Sequence, residues 1–381
     1  MSKIAFYATI KPPDHPIASG DRLIARNLIA ALKIAGYDVE LASSFIAYSK
    51  REAKEILLQR KADAHGEAKA IIERLKPSPP DLWITYHPYC KAPDWIGPIV
   101  SAALGIPYVT IEAARTGQGF EDGGDRWVHW RQEAQTGIRK ADLHLAFKPT
   151  DQAFLTELLG THEHIAMIAP FIDTTPPEHL PDVQFPNHWR PGVPKMIATG
   201  MMRPGKKVKN FQLIADALLR LQALHWNLLI IGGGPEEETV RAMFEPLDQQ
   251  RIEFTGIVPH EEVLAYMRRG DLFVWPGWKE PIGMVYLEAQ LMGLPVAALD
   301  SMGVSLSVHH GKTGLLAAED DRQGFADNLA TLLSHPSLRR DFGQAAMRSV
   351  TVSHSLPAAA NSLRAKLDPL MKNGAGRRHS Q

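Results

Sequence analysis

The sequence predicts an α/β protein built from two doubly wound domains facing a central cleft. Three observations predict it. Short apolar segments alternate with helical patterns along most of the chain, which implies mostly parallel sheets with helices on both faces. The alternation stops once, in the proline-rich stretch 174–194, and then restarts. The residues with the strongest chemical signature all fall just after an apolar segment or on the helix that follows it. In open sheets of this kind, ligands bind outside the carboxyl ends of the strands.

In chain order, Ile4 to Ile10 reads as a buried first strand. A proline-containing loop leads to Ala18-Ser-Gly20-Asp21-Arg22, where Asp21 can cap a helix that stops at Gly36. Strands follow at 38–42, 82–86, 108–111, 143–147 and 165–168, with a long charged helical pattern over 50–76. That helix is locally rich in Lys and Arg, and its charged face reads as solvated, with contact to anionic lipid as the alternative. After the break, strands are expected at 196–199, 228–231, 252–254, 272–275, 296–299 and 315–317. Residues from about 323 to 370 read as consecutive helices, and 372–381 as a frayed tail. The expected domains are 1–175 on the acceptor side, a linker over 176–194, a donor domain over 195–350, and a C-terminal helix over 351–381 that returns to the first domain.

A chain of 381 residues is long enough for two cores. Its 42 basic side chains equal its 42 acidic ones, so there is no global field for nucleic acid. The single cysteine, Cys90, excludes an internal disulfide framework and suits a reducing compartment. No apolar run reaches the length of a membrane span. The expectation is a cytoplasmic protein, with any membrane contact peripheral.

The densest chemical signal lies in residues 275–296. Asp271 to Trp275 reads as a strand closed by Pro276 and Gly277, and Met284 to Met292 as a helix stopped by Gly293. Glu280 sits in the loop before that helix, and Glu288 lies about one turn into it, with seven residues between them. Free N–H groups at the helix start suit a phosphate, and Glu288 can accept from a ribose hydroxyl pair. The segment is a candidate cradle for a nucleotide sugar. Gly200, Arg203 and Lys207 follow the first strand of the second domain, where Arg can fork onto a diphosphate and Lys can act as a point charge; a solvated basic loop is the alternative. Gly233, within Gly232-Gly-Gly-Pro235, marks a tight turn or a close backbone approach. Ile257 and Val258 can flank a nucleobase.

In the first half, Gly20 stands at a helix start and can approach a phosphate or a transferred sugar. His87, Glu112 and Arg115 follow strands and are candidates for acceptor or sugar contact. Of these Glu112 is the strongest, because a carboxylate at the end of an apolar strand is costly unless paired or functional. His162-Glu-His164 and Glu319-Asp-Asp321 lack the ligand clusters a metal site needs.

These residues resemble retaining glycosyltransferase family 4, whose fold is GT-B. Glu280 to Ala289 followed by Gly293-Leu-Pro-Val296 resembles that family's Glu-x7-Glu signature and trailing strand. Gly200 to Lys207 resembles its Arg…Lys diphosphate motif, and Gly311-Lys-Thr-Gly-Leu-Leu316 its Gly-x-Thr-Gly-Leu-Leu segment. The resemblance implies that Glu280 contacts hydroxyls of the donor sugar and Glu288 holds the ribose. It implies that Arg203 and Lys207 neutralise the diphosphate, that the backbone of Ile282, Gly283 and Met284 completes the phosphate site, and that Gly20 lets a loop close over the donor. The chain departs from the family at Met302-Gly-Val-Ser-Leu306, where a Glu is common, and at Glu112, where many members carry histidine.

The implied function is metal-independent, retaining transfer of a sugar from a nucleoside-diphosphate sugar to a glycan, lipid-linked or small-molecule acceptor, in a role such as cell-surface polysaccharide synthesis. No cofactor is implied. The alternatives are a sugar-nucleotide epimerase or phosphorylase on the same fold, or a non-catalytic nucleotide-sugar-binding subunit.

Overall fold

The computed structural model describes residues 1–17, 19–114, 127–175 and 179–378. The chain forms two compact units. One comprises Met1–Ala169 with Leu356–Gln381, and the other Pro170–Ser355.

The first unit holds strands β1 (Lys3–Ala8), β2 (Asp38–Ser43), β3 (Leu82–Tyr86), β4 (Tyr108–Ile111), β5 (Leu143–Ala146) and β6 (Ile165–Met167). They form one parallel sheet in the order β2-β1-β3-β4-β5-β6. Helices α1 (Gly20–Ile34), α2 (Lys54–Leu75), α3 (Gly97–Leu104), α4 (Val128–Ile138) and α5 (Pro149–Leu159) connect the strands. Sheets covered on both faces need strands that are apolar throughout, and all of β3 and β4 is buried. The cap of α1 differs from expectation: the Ser19 side chain accepts from Arg22 N, which leaves the Asp21 carboxylate free for another partner. Helix α2 buries Leu57, Ala64, Ala68, Ile71 and Leu75, spaced to make one stripe.

The second unit holds β7 (Lys195–Thr199), β8 (Asn227–Ile231), β9 (Ile252–Gly256), β10 (Leu272–Val274), β11 (Val296–Asp300) and β12 (Gly314–Ala318). Their order is β12-β11-β10-β7-β8-β9, again all parallel. Helices α6 (Lys206–Arg220), α7 (Glu237–Phe244), α8 (His260–Arg269), α9 (Met284–Leu291), α10 (Arg322–Ser334) and α11 (Pro336–Ser353) belong to it. The last helix, α12 (Leu356–Arg378), lies against α1 in the first unit, where Tyr37 donates to Asp368 at 2.6 Å. The helix runs on to Arg378, through most of the stretch expected to fray.

The described part of the stretch expected as a linker, residues 179–194, belongs to the second unit. Val183 and Trp189 are buried there, Phe185 stacks on Trp189 at 5.6 Å, and Trp189 Nε1 donates to the Gln250 carbonyl. Irregular spacing of these apolar residues hides their burial from any periodicity reading. Among the described residues, no helix is long and apolar enough to cross a membrane.

Sheet burial carries one titration consequence. His144 in β5 is fully enclosed, its Nδ1 is 2.6 Å from Thr110 Oγ1, and its Nε2 has no hydrogen-bond partner among the described residues. Burial, aided by His164, pushes its pKa down to about 4. As pH falls from about 6.5 toward that value, the unfolded chain takes up a proton that the folded chain refuses, so stability is lost on acidification. By pH 5 the loss from this group is about 2 kcal/mol. Urea unfolding at pH 7 and pH 5 should therefore show a drop about 2 kcal/mol smaller in His144→Gln than in the parent. Equal drops would contradict the assignment.

Candidate functional site

In the second sheet, sequence order reverses between β7 and β10, which lie side by side. Such a switch point opens a crevice at the carboxyl ends of the two strands. The first turn of α6, which follows β7, and the loop after β10 bring Lys207 and Glu280 to the same place. Lys207 Nζ sits 2.8 Å from Glu280 Oε2, with the two side chains 29% and 20% exposed. The ammonium also lies 5.4 Å from the Trp275 ring centroid, a cation–π distance.

Glycines make this approach possible. A Cβ on Gly200 would stand 2.7 Å from Trp275 Cη2. Cβ atoms on Gly232 and Gly234 would strike the carbonyls of Gly200 and Met202, while one on Gly233 would stand 3.1 Å from Ile257 Cγ1. The close approach at Gly232-Gly-Gly is therefore to the chain's own Gly200–Met202 loop, and Met202 N donates to the Gly233 carbonyl at 3.0 Å.

The Glu280 loop is fixed on both flanks. On one side Trp278 N donates to Asn210 Oδ1 at 2.8 Å, and the Asn210 amide returns a bond to the Lys206 carbonyl. On the other, Lys279 N donates to Ser301 Oγ at 2.8 Å, and that hydroxyl donates to Glu319 Oε2 at 2.6 Å. Gly283, left-handed at φ 66, caps α9, and a Cβ there would stand 2.5 Å from the Tyr286 ring. Tyr286 OH in turn donates to the Trp275 carbonyl at 3.1 Å.

Other expected donor residues are placed as follows. Ile282 is buried beside the start of α9, and Met284 packs against Ile172, Leu287 and Val350. Glu288 lies one turn into α9, 17% exposed, with Oε1 3.7 Å from His260 Nε2. Burial raises its carboxyl pKa, opposed by His260. Arg203 is exposed, and its guanidinium forms no ion pair among the described residues. Ile257 is 82% exposed beside Gly233, while Val258 packs on the core.

The first sheet reverses its order between β1 and β3. Here too an acid–base pair bridges the reversal: His87 Nδ1, just after β3, is 3.1 Å from Asp21 Oδ1 on α1. Burial opposes a charge on His87, but Glu112 and Asp21 outweigh it and raise its pKa. Beyond His87 lies an enclosed array. Glu112 is 3% exposed; its Oε1 meets Lys148 Nζ at 2.9 Å, and its Oε2 accepts from Tyr86 OH at 3.1 Å. Lys148 also pairs with Asp151 at 2.9 Å. Burial would raise the Glu112 pKa, yet His87 and Lys148 hold it below the usual carboxylate range, while burial dominates at Asp151 and raises its pKa. Gly20 begins α1, and a Cβ there would meet no heavy atom within 4 Å. Arg115 lies outside the described residues.

Sequence reasoning missed Lys148, Asp151, Asn210, Ser301 and His260, and treated Asp21 as a cap. One signal was available: Lys148 directly follows an apolar strand, where an unpaired ammonium is costly, and Asp151 follows three residues later on the helix. Another mark appears only in the backbone. Among the described residues, the non-glycine residues with positive φ are His87, Glu112, Lys279 and Met302, and all four follow the carboxyl end of a strand. Such conformations cost about 1–3 kcal/mol each and gather at functional sites. No group of three or more metal-ligating side chains occurs among the described residues.

Two parallel six-stranded sheets with flanking helices define the GT-B class. Solved structures agree: the chain is similar to sucrose-phosphate synthase from Thermosynechococcus elongatus (TM-score 0.71, 18% identity, covering 98% of this chain and 100% of that one). It is also similar to HepE from Anabaena in complex with UDP (TM-score 0.67, 17% identity, 97% and 100% covered). Residues 193–335 match the family profile described as Glycosyl transferases group 1. Among curated relatives, the chain is 36% identical over 166 residues to D-inositol 3-phosphate glycosyltransferase from Corynebacterium efficiens, a match covering 41% of this chain and 39% of that protein. The chain thus spans about two-fifths of the length of that relative.

The enclosed array and the exposed pairs should differ sharply in energy. Lys148→Met strands two buried carboxylates and should lower stability by about 3–5 kcal/mol. Glu237→Gln, in the exposed Arg241 pair on α7, should cost less than about 1 kcal/mol. Denaturant unfolding of both variants checks the contrast, and equal losses would contradict it.

Proposed function

We propose that this protein is a retaining glycosyltransferase that uses a nucleoside-diphosphate sugar. The observation that carries the reading is the meeting of Lys207 and Glu280 at the β7/β10 switch point, beside the capped start of α9. A departing diphosphate needs fixed positive charge and free N–H groups, and Lys207, Arg203 and the backbone at Gly283–Met284 offer both. The developing oxocarbenium-like sugar needs nearby negative charge and hydroxyl acceptors, which Glu280 offers. Glu288 lies one turn further along α9, where a ribose attached to that diphosphate would be read, and the glycine-shaped turn beside exposed Ile257 suits a flat base. The glycosyltransferase relatives and the group 1 match over residues 193–335 support the same reading.

The stabilising charges here are side chains and a helix end, so the proposed transfer needs no metal. On this reading the Asp21–His87 pair, backed by Glu112 and Lys148, serves the acceptor, a glycan, lipid-linked or small polyhydroxyl compound. Work at the cytoplasmic face of a membrane, in cell-surface polysaccharide synthesis, fits such a role.

Calorimetric titration with UDP, ADP and GDP should find one that binds, and Lys207→Ala should weaken it by about tenfold or more, as expected for loss of a charge-assisted contact. An unchanged affinity in Lys207→Ala would remove the reading. With the matching sugar conjugate and excess chelator, transfer should persist and the product should keep the donor's anomeric configuration. Release of sugar phosphate on adding inorganic phosphate would instead mark a phosphorylase.

A further inference from the structure

Resting on the reading above, we infer that Glu280 also expels the product: once the sugar is gone, its carboxylate competes with the nucleoside diphosphate for Lys207. The geometry of the Lys207–Glu280 pair carries this. The ammonium that would hold a diphosphate is already held, at 2.8 Å, by a carboxylate. Two anions therefore converge on one cation. Lys207 rests over the Trp275 ring on one side and on the Glu280 carboxylate on another.

The backbone under this carboxylate is tied down on both sides. Glu280 N donates to the Gly277 carbonyl at 2.9 Å, and Gly303 N donates to the Glu280 carbonyl at 3.4 Å. Its neighbours Trp278 and Lys279 are tied to Asn210 and Ser301. A Cβ on Gly303 would strike the Pro281 carbonyl, so the strand β11 loop packs directly under this turn. The backbone of Lys279 is held left-handed at φ 55, a conformation that persists only when its surroundings enforce it. The backbone that carries Glu280 is thus held in place, which keeps its carboxylate within reach of Lys207 and of the proposed diphosphate position.

The consequence is a difference between substrate and product. In the donor, hydroxyls of the sugar occupy the Glu280 oxygens and separate them from the diphosphate. In the product, those hydroxyls have left. The carboxylate then faces a diphosphate across a shared cation, and like charges at such range repel while each competes for the same partner. The pair is partly exposed, so exchange of one anion for the other does not require leaving an isolated charge in an apolar interior.

The test uses calorimetry with whichever of UDP, ADP and GDP binds the parent protein most tightly, and with the matching nucleoside monophosphate. Glu280→Gln should bind the diphosphate about tenfold more tightly than the parent, whereas the monophosphate should change less than about twofold. The gain should vanish when Glu280→Gln is combined with Lys207→Ala, because the competition runs through that ammonium. Glu280→Ala provides a second variant if the amide disturbs folding, and thermal unfolding without ligand checks both. Diphosphate affinity no tighter than the parent's in both variants would overturn the inference, as would a gain that survives Lys207→Ala or is equal for the monophosphate. Weak binding by Lys207→Ala with no gain in Glu280→Gln defeats this inference alone, while parent-like binding by Lys207→Ala defeats the functional reading beneath it.

Discussion

Each sheet reverses its strand order once, and each reversal is bridged by an acid–base pair. In the second unit the pair is Lys207–Glu280, joined across 73 residues of sequence. In the first it is Asp21–His87, joined across 66. A parallel sheet forces this arrangement: every strand delivers its loop and the next helix start to the same edge, and the two loops flanking a reversal diverge to opposite faces and leave a crevice. The glycines at 200, 232 and 234 and the rings of Trp275 and Tyr286 follow from that constraint, since they let neighbouring loops lie close enough for the charges to meet.

The same edge stores the backbone strain. Left-handed His87, Glu112, Lys279 and Met302 all hang from strand ends, and the strands themselves are pinned by extensive burial. Burying side chains such as Phe6, Tyr86, Trp83, Phe273 and Trp275 stabilises the sheets by roughly 1.5–3 kcal/mol each. Against cores of that size, strain of about 1–3 kcal/mol per residue is tolerable, and it aims His87, Glu112 and the Glu280 loop in directions a relaxed backbone would not take.

How legible all this was in the sequence follows from the range of each interaction. Strands such as Leu82–Tyr86 and Tyr108–Ile111 were legible to the residue, because strands buried on both faces are continuous apolar runs bounded by polar or turn residues. The Glu280 loop and the α9 start were legible because glycine and proline punctuate them locally. The cap of α1 was misread by two positions, since Ser19 and Asp21 are both good caps and only the tertiary partner His87 decides between them. The array around Glu112 was half legible: the carboxylate stood out at a strand end, but Lys148 lies 36 residues away, and no local pattern announces that pairing. Nor does any local pattern reveal that Phe185 and Trp189 pack on the core and anchor a proline-rich stretch in which Val183 is also buried, because aperiodic burial looks like a linker.

Solvent access separates the two kinds of charge cluster. Lys148 with Glu112 and Asp151 is enclosed, so each charge has its partners or faces a desolvation cost of several kcal/mol, and the array behaves as a strut. Lys207 and Glu280 remain partly wet. Their mutual attraction is screened, and water or an incoming anion can take the place of Glu280 at Lys207 at modest cost. A rigid pair holds neighbouring strand ends in register, whereas an exchangeable pair leaves its cation available to a ligand. The chain thus sets an enclosed charge array behind the first strand-order reversal, while the pairs at the two reversals themselves, Asp21–His87 and Lys207–Glu280, stay partly exposed and can yield a partner to an incoming polar group.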